Sequence, residues 1–177
     1  CLKLCGAVEA LHASGAVHGA LRPSVFQLDA QGTVALLPAT SSPARAAVLG
    51  YASPEVASGS TPTPASDAFS LALVLFEVLA GAPSRVGSEQ ELTAQAKGGR
   101  VPIPKGLPER FTSLAVRSTA AEADRRPTPA QWRAAFEHPV PPKGARGTTL
   151  LLGTCVVALA AVFGATQQRT AAAYDRS

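Results

Sequence analysis

Apolar residues recur along this chain with two periods. Over residues 2–13, Leu4, Cys5, Val8, Leu11 and His12 fall on one helical face and Ser14-Gly15 ends the run, which predicts an amphipathic helix. Ala16-Val17-His18 reads as a short extended piece that leads into a loop containing Arg22-Pro23. Two apolar runs, residues 25–28 and 33–37, flank Asp29-Ala30-Gln31-Gly32 and predict a β-hairpin. Residues 38–66, rich in Pro, Ser, Ala and Thr, read as a loop. Residues 67–80 are almost wholly apolar, with Glu77 inside and Gly81 after them. Their length predicts a buried core helix, capped by Ser66 or Asp67. Amphipathic helices are expected over 89–97 and 108–121, with Val101-Pro102-Ile103-Pro104 between them. A last helix starts at Thr128-Pro129, with Thr128 as N-cap and Pro129 at the first helical position, and runs to Glu137.

The pattern then changes. Pro139 to Gly147 reads as a linker, and residues 147–168 carry no charge. A helix of that length is about 33 Å long, enough to cross a hydrocarbon core. Between Leu150 and Ala165 only Thr154 is clearly polar, which argues against a surface helix or a buried soluble one. The expected organisation is a folded domain over 1–137, a linker over 138–147, a transmembrane helix over 148–168 and a short tail over 169–177. Lys143 and Arg146 precede the span and Arg169 and Arg176 follow it, so loop charge hardly sets its orientation.

Composition adds limits. Of 177 residues 46% are hydrophobic and 16% charged, which suits a globular core. The net charge of +4 comes from Lys and Arg scattered along the chain, with no stripe for nucleic acid. Cys1, Cys5 and Cys155 form no disulfide framework, which fits a reducing compartment, and Cys1 and Cys5, one helical turn apart without a further ligand in spacing, read as small buried hydrophobes. The chain opens with Cys1, inside a helical pattern that no Ser, Thr or Asp precedes, so its start is expected upstream.

The most informative stretch is His18-Gly19-Ala20-Leu21-Arg22-Pro23-Ser24-Val25. It resembles the catalytic loop of protein kinases, H-R-D-L-K-P-x-N. Other segments fit the same order. Gly32-Thr33-Val34-Ala35-Leu36 looks like the strand before D-F-G, and Tyr51-Ala52-Ser53-Pro54-Glu55 like the A-P-E region. Asp67 to Gly81 looks like the central buried helix, and Arg126-Pro127-Thr128 like the arginine site near the end of the lobe. Over residues 1–137 the chain thus resembles the C-terminal lobe of a eukaryotic-type Ser/Thr protein kinase. The fold this implies is mainly α (α+β), a helical lobe with a small β-hairpin, followed here by one transmembrane helix.

The resemblance implies that structural groups are kept and chemical ones lost. Glu55 would pair with Arg126, Asp67 would bond the backbone of the loop, and His18 would be a packed core histidine. The catalytic Asp falls at Ala20 and the magnesium-binding Asn at Val25, and neither side chain can accept a proton or ligate a hard cation. The D-F-G position is Pro38-Ala39-Thr40, the Thr before A-P-E is Val48, and the catalytic-loop Lys is Arg22, which keeps charge but not shape. Asp29, Glu9 and Glu55 are the remaining acids near the loop, and none offers a metal pair. Thr40, Ser41 and Ser42 occupy the activation-segment position and read as ordinary polar loop residues.

The expected function is a membrane-anchored pseudokinase with a protein partner, such as an active kinase or its substrate. Its kinase-like domain would lie in the cytoplasm, without a cofactor and without nucleic acid. The alternative is an atypical Ser/Thr kinase, using ATP and magnesium, whose N-lobe lies upstream. A degenerate fragment without function of its own is the third reading.

Overall fold

The computed structural model describes residues 1–39, 45–99 and 101–137. In chain order these form α1 (Leu2–Ala13), β1 (Phe26–Leu28), β2 (Val34–Leu36), α2 (Arg45–Leu49), α3 (Pro54–Ala57), α4 (Pro64–Ala80), α5 (Glu89–Gly98), α6 (Glu109–Ser118) and α7 (Pro129–Glu137), with single 3-10 turns at Pro23–Val25 and Ala123–Arg125. The lobe is mainly helical, and the one sheet among the described residues is the antiparallel pair β1–β2, registered with Phe26 opposite Leu36 and Leu28 opposite Val34. Asp29 shapes the hairpin turn, because its Oδ1 accepts the N–H groups of Gln31 (3.0 Å) and Thr33 (2.6 Å).

α4 is the axis of the lobe. Every residue from Ser66 to Val78 is buried, so this helix is apolar on all sides because neighbours cover all sides. Leu71, Val74, Leu75 and Phe76 join Leu4, Cys5 and Val8 of α1, Val25 and Phe26, Phe111 and Leu114 of α6, and Trp132 of α7 in one core. Each such Leu or Phe contributes about 1.5–3 kcal/mol on burial. The Trp132 indole stacks with Phe111 and Phe136 and meets Phe76 edge-on, and its N–H donates to Ser118 Oγ at 3.0 Å. A smaller cluster, Leu49, Leu92 and Ala96 with Ala46 and Ala57, packs α5 on α2 and α3.

The segment expected as loop, 38–66, contains α2, α3 and the first turn of α4. The expected cap at Ser66 or Asp67 is replaced by one at Thr63. Thr63 Oγ1 accepts from Ser66 N (3.2 Å) and Ser66 Oγ accepts from Thr63 N (2.8 Å), with Pro64 at the first helical position. This box starts the helix one turn early and leaves the Asp67 side chain free for another task. The helix expected over 108–121 ends at Ser118, because the carbonyls of Ala120 and Ala121 turn to accept from Arg126. No helix among the described residues is long and apolar enough to cross a membrane. The proposed span over 148–168, the linker and the tail lie outside the described residues, as do Thr40, Ser41 and Ser42.

Candidate functional site

The 18–25 loop is fastened from behind by α4. The Asp67 carboxylate, 1% exposed, accepts from the backbone N–H of His18 (2.7 Å) and of Gly19 (2.8 Å). His12 of α1 adds Nε2 to the same carboxylate at 3.0 Å. A buried carboxylate needs such donors, and their geometry fixes the chain direction at the loop. Gly19 has φ of 75°, and a Cβ there would meet Pro62 Cγ at 2.8 Å. Glycine alone satisfies both demands without strain.

His18 is buried and spans the loop. Its Nε2 lies 2.8 Å from the carbonyl oxygen of Leu37, and its Nδ1 accepts from Ala20 N at 3.2 Å. The pair of contacts defines the tautomer with the proton on Nε2. The histidine therefore joins the loop to the end of the hairpin and has no free ring nitrogen for proton transfer. Arg22 Nη1 turns back to the carbonyl oxygen of Ala20 at 3.0 Å, and partial burial lowers this guanidinium from its ordinary value.

The resemblance assigns the kinase base and metal ligands to Ala20, Val25 and Pro38, whose side chains carry no acid or amide. Ala20 presents a methyl group. Val25 is 2% exposed and packs into the main core, in the turn that delivers the chain to β1. Pro38 lies exposed just beyond β2. Val48, half-buried in α2, uses its carbonyl to accept from Tyr51 and Ala52 N–H. The other acids are engaged elsewhere. Asp29 holds the hairpin turn, and Glu9 pairs with Arg133 of α7 at 2.8 Å. Among the described residues no group of three or more His, Cys, Asp or Glu side chains is placed to hold a metal ion.

Glu55 and Arg126, 71 residues apart, form a bidentate pair with Nη1–Oε1 at 2.6 Å and Nη2–Oε2 at 2.9 Å. The remaining Arg126 donors reach the carbonyls of Ala120, Ala121 and Ala65, so all five N–H groups are used. The Arg126 side chain is 0% exposed and that of Glu55 28%. Burial pushes the Glu55 carboxyl up, but the Arg126 hydrogen bonds and a backbone N–H outweigh it, and the net shift is downward.

Two further polar contacts carry no motif in the sequence. Tyr51 donates its hydroxyl to Glu77, deep in α4, and burial raises both groups from their ordinary values. Arg85 is buried against Phe69, in the connection between α4 and α5.

A helical lobe around one buried helix, with a hairpin and a loop tied to that helix by an aspartate, is the arrangement of a protein-kinase C-lobe. The family model for protein tyrosine and serine/threonine kinases matches residues 38–136, more than half of the chain. The chain belongs to this family. It is 32% identical to serine/threonine-protein kinase PknK of Mycobacterium bovis, over 73% of this chain and 13% of that protein. The PknK of Mycobacterium tuberculosis strain H37Rv is 31% identical over the same shares. Serine/threonine-protein kinase PknB of Mycobacterium leprae is 29% identical, over 73% of this chain and 24% of its own length. The chain thus spans a quarter or less of these relatives.

Proposed function

We propose that the chain is a kinase-family regulatory protein that transfers no phosphate, a pseudokinase, held at a membrane by residues 148–168. The observation that carries this reading is the division at the loop. Asp67, His12 and His18 brace its backbone, while Ala20, Val25 and Pro38 stand where the family places its base and metal ligands. Phosphoryl transfer depends on positioning and on charge neutralisation by magnesium. A methyl group, a core-packed isopropyl group and a proline ring do not fit a divalent cation, so these three positions would offer magnesium no ligand. Arg22 retains a positive charge beside the loop, but a guanidinium turned to its own backbone supplies no base.

On this reading the lobe acts by shape, as a surface for a protein partner such as an active kinase or its substrate. The uncharged run over 148–168 holds it at the bilayer, with residues 1–137 on the cytoplasmic side. The test is phosphotransfer from labelled ATP, with magnesium or manganese, to itself and to generic protein acceptors, using the protein as its gene encodes it. No incorporation above a heat-denatured control is expected. Turnover abolished by mutation of the protein's own nucleotide-binding lysine would refute the reading and establish an atypical kinase. Anchoring is tested separately. The protein should stay in the membrane pellet after alkaline carbonate extraction and leave it when residues 148–177 are removed.

A further inference from the structure

The lobe has two apolar clusters among its described residues. The larger surrounds α4 and reaches α1, α6 and α7. The smaller, Leu49, Leu92 and Ala96 with Ala46 and Ala57, is drawn from α2, α3 and α5 alone. Within it α2 and α3 both pack on α5. Arg45 of α2 pairs with Glu89 of α5 at 3.5 Å, and a Cβ on Gly99, the cap of α5, would meet Pro54 Cγ of α3 at 3.0 Å. Residues 45–57 and 89–98 therefore form a unit with its own small core, although α4 separates them in the chain.

The ties between this unit and the body of the lobe are largely polar. Tyr51, between α2 and α3, donates its hydroxyl to Glu77 of α4, and its ring also packs on the larger core. Arg85, after α4, donates through Nη1 to the carbonyl oxygens of Ala52 (2.6 Å) and Leu49 (3.4 Å). Arg126, before α7, holds Glu55 of α3. Both guanidinium groups lie over the ring of Phe69 in α4, with Cζ at 5.3 and 5.1 Å from its centroid. The bonds thus gather at one seam, along residues 49–55.

The seam is closed against a counter-pressure. Arg85 is 4% exposed, and its Nε and Nη2 are buried without a hydrogen-bond partner among the described residues. Burial lowers this guanidinium to about 10, so it stays charged at neutral pH. A buried charge with unpaired donors favours any state in which water reaches them. The other seam bonds are exchanged for bonds to water on opening, whereas the larger core loses its burial only when the whole lobe unfolds.

We propose that α2, α3 and α5 form a strap that opens as one body, ahead of the rest of the lobe, with the Tyr51–Glu77, Arg85–Ala52 and Arg126–Glu55 bonds as its latch. Gly59 and Gly81 lie where the chain passes between strap and α4. Both have left-handed backbones (φ 100° and 74°) and nothing within 4 Å of a Cβ position, which gives the strap room to turn. Opening wets Arg85 and uncovers Phe69, while α4 and the loop fastened to Asp67 keep their places. The strap contains the stretch that resembles the A-P-E region, so the lobe has one surface with it closed and another with it open. This device is independent of whether the loop at Ala20 transfers phosphate.

The test is native-state hydrogen exchange of the full chain in increasing, sub-denaturing urea. The slowest amides of the three strap helices are expected to share one opening equilibrium, about tenfold or more above that of α1 and α4, with a shallower dependence on urea because less surface is exposed. Tyr51→Phe weakens the latch and should raise exchange in α2, α3 and α5 together by about tenfold. Val8→Ala lies in the larger core, outside the seam, and should raise exchange in α1 and α4 by about tenfold while the strap keeps its wild-type rate. A single rate and urea slope for the whole lobe would overturn the proposal. So would an α5 that stays protected when Tyr51→Phe loosens α2 and α3, or a strap that accelerates with α1 and α4 in Val8→Ala. Should a variant fail to fold, the wild-type rates and urea slopes decide alone.

Discussion

Replacing Glu55 with Ala is expected to destabilise the lobe by about 3 kcal/mol, the lower end of the range for breaking a buried ion pair. The magnitude follows from what is left behind. Arg126 is fully buried, so its charge cannot turn to water once its carboxylate has gone. Three carbonyl oxygens and the face of Phe69 remain around it and limit the loss. Arg126→Met strands a different group. Glu55, with 28% of its side chain exposed, recovers part of its hydration, but the carbonyls of Ala120, Ala121 and Ala65 lose their donor. A cost of about 2–3 kcal/mol is expected there. The double variant should cost less than the sum by at least about 1.5 kcal/mol, since neither charge then remains alone. Urea unfolding followed by the fluorescence of Trp132, the sole tryptophan and a fully buried one, measures all three. The pair also gives a pH signature. The folded Glu55 carboxyl titrates below its unfolded value, so its stabilisation is present above the ordinary carboxylate range and is lost as pH falls through the folded value. The gap between wild type and Glu55→Gln should therefore close in acid. A Glu55→Ala cost under about 1 kcal/mol, the range of an exposed surface pair, would refute the reasoning.

Gly19→Ala should cost about 2 kcal/mol, from a left-handed backbone and a Cβ driven into Pro62, and the same unfolding titration reads it. Tyr51→Phe leaves the buried Glu77 without its hydroxyl donor and should cost about 1–3 kcal/mol at neutral pH. Glu77 has the opposite pH sign to Glu55. Burial raises its folded value, so its contribution is complete below the ordinary carboxylate range and is lost as pH rises through the folded value. Wild type should therefore weaken relative to Glu77→Gln across that rise, and a gap that is flat with pH would show the carboxyl to be better solvated than its burial indicates. Thr63→Ala removes the oxygen that starts α4 and should cost about 1 kcal/mol in the same assay.

Legibility in the sequence followed the range of the interactions. The turn of the hairpin and the start of α7 rest on residues four or fewer apart, and those turn and cap residues are visible in the chain. The early start of α4 was visible too, in Thr63-Pro64-Ala65-Ser66, but the box ends in Ser where the commoner form has Glu or Gln. α2 and α3 were hidden because a run rich in Pro, Ser and Ala has no apolar period, and both are short helices held by packing on α5. Motif order brought Glu55, Asp67 and Arg126 into one candidate set, although their partners lie 48 to 71 residues away. His12 reads only as part of a helix face, since nothing near it signals that Asp67, 55 residues on, lies opposite. Arg85 carried the least signal. A charged residue in a connection reads as solvated, whereas this one lies between the carbonyls of Leu49 and Ala52 and the ring of Phe69.

The fastening of the loop to Asp67 has an evolutionary consequence. Its contacts are made by backbone N–H groups and a histidine on another helix, and none uses the side chain of residue 20. The fastening itself therefore places no demand on that side chain. A lineage could lose the base in one substitution and still express a well-folded lobe, whereas a change at Asp67 would remove loop and lobe together. Among descendants of such a gene, silent loops should outlive the reaction, and position 20 should drift long before position 67 does.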